Sequence, residues 1–272
     1  MYLYKYIYTI IIACILVGCT TTSVDKLEDK ALAFAKEGNN NEAIKTYKQV
    51  LYLDANNLEA CVNIGVLYVR NELLDSSIGY FNHAIAIDST HANAYYNRAK
   101  YYDATGKFMQ ALADFNKCIT LDPSNVKALV SRGVLYGDIG DTIAELNDYA
   151  MAIKVNPDYP YSYFDRACYY YNRNQFATAI IDYTLAIQKD SAYSQAFVNR
   201  ALSYQELNNN KAALQDYSFA LTINPEDTEA LINRALLLEK TNSTLAINGL
   251  KKAQQLGYTS ATQLLKLYFN QW

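Results

Sequence analysis

The side chains that most often do chemistry are sparse in this chain, and their spacing is the first thing to weigh. Two histidines, His83 and His91, stand eight residues apart. A zinc pair on one helix face needs residues four apart, and a histidine base needs a nucleophile or carboxylate brought to it. The cysteines Cys14, Cys19, Cys61, Cys118 and Cys168 are odd in number and scattered, which suits neither a disulfide framework nor a paired-cysteine metal site. Gly133, Gly137 and Gly140 hint at a phosphate loop, but no lysine and serine or threonine follow them in the required register. No metal, cofactor or catalytic constellation is therefore expected, and the chain reads as something other than an enzyme.

Two charged columns remain. Arginine recurs every 34 residues at Arg98, Arg132, Arg166, Arg200 and Arg234. Aspartate follows sixteen residues behind four of them, at Asp114, Asp148, Asp182 and Asp216. A forked guanidinium matches a carboxylate, so the columns predict a ladder of internal ion pairs. An anion-binding stripe is the alternative, and it requires arginines that face solvent unpaired. Across all 272 residues the 24 Lys and Arg are outnumbered by 27 Asp and Glu, for a net charge of −3. No basic field exists to hold nucleic acid.

The elements that position these columns follow the same 34-residue period, with starts at 24, 58, 92, 126, 160, 194 and 228. The eighth position reads Ala31, Gly65, Ala99, Gly133, Ala167, Ala201, Ala235, and the eleventh reads Phe34, Tyr68, Tyr102, Tyr136, Tyr170, Tyr204, Leu238. The twenty-fourth reads Tyr47, Phe81, Phe115, Tyr149, Tyr183, Tyr217 and, after one deleted residue, Leu250. Small residues at one column and large aromatics at another let two helices approach closely, which accounts for many of the 26 tyrosines. Gly38, Gly106, Gly140, Asn174, Asn208 and Asn242 stand where a left-handed residue closes a helix, and Pro123, Pro157 and Pro225 where a helix must end. Glu145 is out of place in a column that holds alanine at Ala43, Ala111, Ala179 and Ala213.

This pattern resembles the tetratricopeptide repeat, a helix–turn–helix unit, over residues 24–257. The resemblance implies an all-α, right-handed α-solenoid of seven repeats. Residues 258–272 form a capping helix that presents Ala261, Leu264, Leu265 and Tyr268 to the last repeat, while Phe269 and Trp272 are an alternative partner contact. In this family the first helices line a concave groove. The positions carried over are Val62, Asn63 and Val66; Tyr96, Asn97 and Lys100; Val130 and Val134; Val198, Asn199 and Leu202; and Ile232 and Asn233. An apolar stripe beside an asparagine ladder suits an extended or helical segment of a protein partner. In the fifth repeat Tyr161, Phe164 and Tyr171 make the groove aromatic, and stacking on a glycan or other small ligand is the rival use.

The first residues read as an address. One cation, Lys5, precedes an apolar run from Tyr6 to Val17, whose length of roughly 18 Å as a helix is too short for a hydrocarbon core of about 30 Å. Leu16-Val17-Gly18-Cys19 resembles a bacterial lipobox. The resemblance implies a lipoprotein signal peptide at residues 1–18, a lipidated Cys19 and a polar tether through residue 23. Thr20, where some bacteria place an aspartate for inner-membrane retention, points to an outer-membrane anchor facing the periplasm. The expected protein is a membrane-anchored interaction scaffold of the cell envelope.

Overall fold

A computed structural model describes residues 23–269. Every regular element among them is a helix: α1 (residues 23–36), α2 (Asn40–Leu53), α3 (Leu58–Arg70), α4 (Leu74–Ile87), α5 (Ala92–Ala104), α6 (Phe108–Leu121), α7 (Val126–Asp138), α8 (Thr142–Val155), α9 (Pro160–Tyr171), α10 (Phe176–Lys189), α11 (Ser194–Glu206), α12 (Asn210–Ile223), α13 (Thr228–Leu238), α14 (Ser243–Gln255) and α15 (Thr259–Phe269). The helices pair as antiparallel hairpins, making an all-α repeat solenoid. From α3 to α13 the first helices begin at Leu58, Ala92, Val126, Pro160, Ser194 and Thr228, 34 residues apart. Between Ser131 and Arg132, within α7, the chain divides into two compact units. The first carries α1 to α6 and the start of α7, and the second carries the remainder. The lipobox, Cys19 and Trp272 lie outside the described residues.

Local chemistry sets the helix ends. Asn57, Asn125 and Asp227 cap first helices by accepting from the backbone N–H of Ala60, Ala128 and Ala230 at 2.8, 3.0 and 3.0 Å. Within the hairpins, Gly38, Gly106 and Gly140 adopt φ of +79°, +71° and +84°, and Asn174 and Asn208 adopt +58° and +57°. Glu72, which the sequence did not single out, takes the same left-handed position at +61°. Asn242 departs from expectation: its φ is −151°, and its side chain accepts from the N–H of Leu245 to cap α14. The residue deleted in the seventh repeat removes the left-handed turn, so the asparagine that would have occupied it caps the next helix instead.

Packing follows from contacts between residues sixteen apart. A Cβ on Gly65 would run into the ring of Phe81, and one on Gly133 would lie 2.7 Å from the ring of Tyr149. Ala167 packs with Tyr183, and Ala201 with Tyr217, in the same register. All four aromatic rings are buried. A capping layer closes the second unit, where Ala261 and Leu265 of α15 are buried against Leu231, Ala246 and Leu250. Phe269, not Tyr268, packs onto this cluster; Tyr268 is exposed.

The charged columns form the predicted ladder in four repeats. Arg98 donates to Asp114 through Nε and Nη2 at 2.7 and 2.8 Å. Arg132 does so to Asp148 at 2.7 and 2.7 Å, Arg166 to Asp182 at 2.7 and 2.8 Å, and Arg200 to Asp216 at 2.7 and 2.8 Å. All four aspartates are buried. Hydrogen bonding to these carboxylates holds Arg98, Arg132 and Arg166 above the usual arginine pKa; Arg200 is also raised, by its bond to Asp216 against the opposing effect of burial. Arg234, the fifth in the column, has no such partner among the described residues. Glu145 is buried 3.6 Å from Arg173, and the space for it comes from Gly137, where an added Cβ would lie 2.9 Å from its Oε1. Burial raises the Glu145 pKa against the opposing pull of Arg173.

A half-buried guanidinium deprived of its carboxylate has nothing to repay its desolvation. Asp182→Ala is expected to destabilise the protein by about 3 kcal/mol in urea unfolding. A loss below about 0.5 kcal/mol would reduce the ladder to ordinary surface pairs.

Candidate functional site

Three of the five valines expected to line the groove are almost sealed. Val62, Val130 and Val198 are 3%, 7% and 2% exposed. Val62 joins a core cluster with Cys61, Ala84 and Ala94, and Val198 one with Phe197, Ala201 and Tyr217. The other side chains of this column, Tyr96, Phe164 and Ile232, remain half-buried. Size explains the split: a valine ends at its γ carbons and is covered by neighbours, whereas longer side chains extend past them. Val134, one helical turn after Val130, is 40% exposed.

In the first unit, half-buried Asn63 and Val66 lie on α3, and Tyr96, Asn97 and exposed Lys100 on α5. Asn97 is turned back on its own helix, donating to the Asn93 carbonyl at 2.8 Å. Lys100 pairs loosely with Asp103 at 3.4 Å. Tyr96 leans on Phe115, with ring centroids 6.1 Å apart.

The second unit holds a defined hollow of about 720 Å³. Its floor is half-buried Phe164 of α9 and Ile232 of α13, with the almost sealed Val198 of α11 between them, so the first helices supply it. Asn199 and Asn233 flank the floor, while Gln195, Glu226, Asp227 and Glu229 make a polar, acidic rim. Tyr258 and Ser260, at the approach to and start of α15, also line it. A smaller adjoining hollow of about 270 Å³ is lined by Cys168, Tyr171, Tyr183, Asn199 and Leu202. Of the asparagines here, Asn199 is partly engaged, donating to Cys168 Sγ at 3.7 Å.

Burial is the leading cause of the local electrostatics. It raises the pKa of Glu229, with Asp227 adding to the effect. It likewise raises the Cys168 thiol and drives the Tyr183 and Tyr193 phenols far above the ordinary tyrosine value. Cys118, sealed in the first unit, is pushed up to about 11. These thiols are kept protonated and poorly nucleophilic. Among the described residues no group of three His, Cys, Asp or Glu side chains is placed to hold a metal, and no helix is long and apolar enough to cross a membrane.

Of the three fifth-repeat aromatics, Tyr161 is 45% exposed, whereas Phe164 and Tyr171 are half-buried. Tyr161 leans on Tyr159 and Tyr193, both at 5.1 Å, and Phe164 lies 4.8 Å from Tyr193. Tyr171 meets Phe176 edge-on at 5.4 Å. Tyr159 and Tyr193 were missed in the sequence reading. Both occupy the cap column that elsewhere holds Asn57, Asn125 and Asp227, and neither makes a side-chain cap bond. A phenol replacing a capping residue twice in succession was the available signal.

Four tetratricopeptide repeat family models match the chain, at residues 31–72, 58–91 and 194–227, 92–125, and 148–181. No curated protein sequence matches it. Among solved structures, a tetratricopeptide repeat protein from Parabacteroides merdae superposes with a TM-score of 0.66 at 21% identity, covering 92% of this chain and all of the other. The Cut9–Hcn1 structure of the APC/C gives 0.71 at 16% identity, covering 88% of this chain and 48% of the other. PilW, described as a widely conserved type IV pilus biogenesis factor, gives 0.68 at 15% identity, covering 76% and 96%. At these identities the likeness is one of fold.

The division between floor and core is open to test by unfolding. Val198→Asp places a charge in a sealed core and is expected to cost more than about 4 kcal/mol, while Ile232→Asp, at the open wall, costs less than about 2. Equal losses would mean that Ile232 is as sealed as Val198.

Proposed function

The chain belongs to the tetratricopeptide repeat family, and on that premise we propose that it is a lipid-anchored protein-interaction scaffold of a bacterial envelope. The observation that carries the reading is the hollow floored by Phe164 and Ile232 over the almost sealed Val198 and rimmed by asparagines and carboxylates. The two half-buried apolar side chains offer anchor points, and amides beside them can pair with a partner's backbone. The acidic rim favours a segment that carries lysine or arginine between apolar anchors. Each anchor fully buried contributes about 1.5–3 kcal/mol, less the cost of ordering the segment. A transient, exchangeable complex is what such a surface supports.

Lipidation of Cys19 would tether the repeats to the outer membrane, facing the periplasm, where acyl chains contribute about 0.8 kcal/mol per buried methylene. The type IV pilus biogenesis factor PilW shares the fold, and by that analogy of fold alone envelope assembly is a fitting setting. Glycan stacking has less support, because Tyr161 alone of the aromatic trio is well exposed and its neighbours tilt 46° and 54° to it.

The test is photo-crosslinking in cells from a reactive group installed at Gln195, on the rim of the hollow. A discrete adduct is expected, reduced at least tenfold by Ile232→Asp with Leu202→Asp, with the chain moved from the membrane to the soluble fraction by Cys19→Ser. Crosslinking indifferent to both aspartates would remove the groove from the proposal, and membrane retention of the serine variant would remove the anchor.

A further inference from the structure

The arginine ladder breaks in the seventh repeat, and it breaks on one side only. Arg234 keeps its place on α13, but the deleted residue brings Gly249 into the register that Asp114, Asp148, Asp182 and Asp216 hold in earlier repeats. Buried Ala246, Leu250 and Ala253 confirm that register, since each takes the core place expected of it after one deletion. A Cβ on Gly249 would lie 3.3 Å from the Leu231 carbonyl oxygen, so α14 approaches α13 more closely than a side chain here would comfortably allow.

The flanking groups have gone as well. Arg200 lies over Phe197 and Tyr204 at 5.6 and 6.0 Å, and its Nη1 donates to Thr184 Oγ1 at 3.0 Å. The aromatic places beside Arg234 are leucines, Leu231 and Leu238. The hydroxyl at the Thr184 place is that of Ser218, which donates to the Leu214 carbonyl instead. Among the described residues, no hydrogen bond or ion pair engages the half-buried Arg234 guanidinium. Burial without a partner lowers its pKa, the reverse of the shift in its four counterparts.

Arg234 lines a hollow of about 320 Å³ between the second helices α12 and α14, together with Lys252, Asn248 and Ser218. Pro225 and Leu245 contribute apolar wall, and none of the residues that line it is acidic. Two cations, an amide and a hydroxyl therefore border a space from which the chain's own carboxylate has been removed. None of these residues lines the groove hollow on the first helices.

We propose that this hollow is a carboxylate-binding site for a protein partner. Arg234 takes from an acidic side chain of that partner the bidentate pair that its counterparts take from aspartates within the chain, and Lys252 supplies the second charge. The apolar wall selects an acidic residue flanked by aliphatic ones. A planar carboxylate suits the empty rung better than phosphate does, because the four filled rungs set the fork geometry and only two cations are present. The site is independent of the groove reading.

The experiment titrates the full chain, with ¹⁵N-labelled arginine, against a blocked Leu-Asp-Leu-Leu peptide, its Leu-Asn-Leu-Leu counterpart and inorganic phosphate. The resonance of Arg234 Nε, assigned by its loss in Arg234→Gln, is expected to shift saturably with the aspartate peptide. Binding should be at least tenfold weaker for the asparagine peptide and for Arg234→Gln by calorimetry, and a few-fold weaker for Lys252→Ala. Arg234 has no internal partner to lose, so its variant should keep the parental melting temperature. Equal responses to the two peptides, or saturation by phosphate with no response to the aspartate peptide, would overturn the proposal.

Discussion

The fold rests on one repeated contact: a residue with almost no side chain on a first helix, against a large ring sixteen residues later on the second. Gly65 with Phe81 and Gly133 with Tyr149 leave no room for a methyl group between helices, while Ala167 and Ala201 fit theirs against Tyr183 and Tyr217 in the same register. Interiors pack at crystal-like density, so this spacing fixes how close each hairpin closes. The distance between the two charged columns is the same sixteen residues. Once the helices are held at ring-to-alanine distance, guanidinium and carboxylate are brought to 2.7–2.8 Å without further adjustment. The steric and electrostatic registers are one register.

That regularity is also why interest concentrates where it lapses. Tyr159 and Tyr193 replace capping residues and extend an aromatic cluster around Phe164. Glu145 occupies an alanine place and is accommodated because Gly137 vacates the space opposite. The seventh repeat loses a residue, and with it a left-handed turn and an aspartate, leaving Arg234 alone. In each case a departure from the repeat is matched by a second departure nearby, or by an opening. A repeat that varies only on its surface would show neither.

The groove hollow and the hollow beside Arg234, both in the second unit, differ in kind. The one on the first helices has an apolar floor and a rim of carboxylates, so a basic or neutral segment meets favourable charge there. The one between the second helices carries Arg234 and Lys252 and no acid, which favours the opposite sign. A scaffold that presents complementary signs on separate helix sets can hold two segments without their competing. Both rest on core helices, not on long loops, so their geometry is set by the packing beneath them.

Period, helical class, hairpin turns and ion-pair ladder were legible in the sequence because each depends on residues at fixed separation along one chain, and helix geometry converts that separation directly into proximity. The glycines at Gly106 and Gly140 belong to the same class of local information. Which side chains of the groove column stand open did not. Val62, Val130 and Val198 share that column with Phe164 and Ile232, yet the valines are sealed and the longer residues are not. Exposure depends on what neighbouring repeats place over a side chain, and only tertiary packing supplies those neighbours. The arginine column divides in the same way: the sequence shows an aspartate sixteen residues behind only four of the five, but only the packed structure shows that no other carboxylate among the described residues takes its place at Arg234.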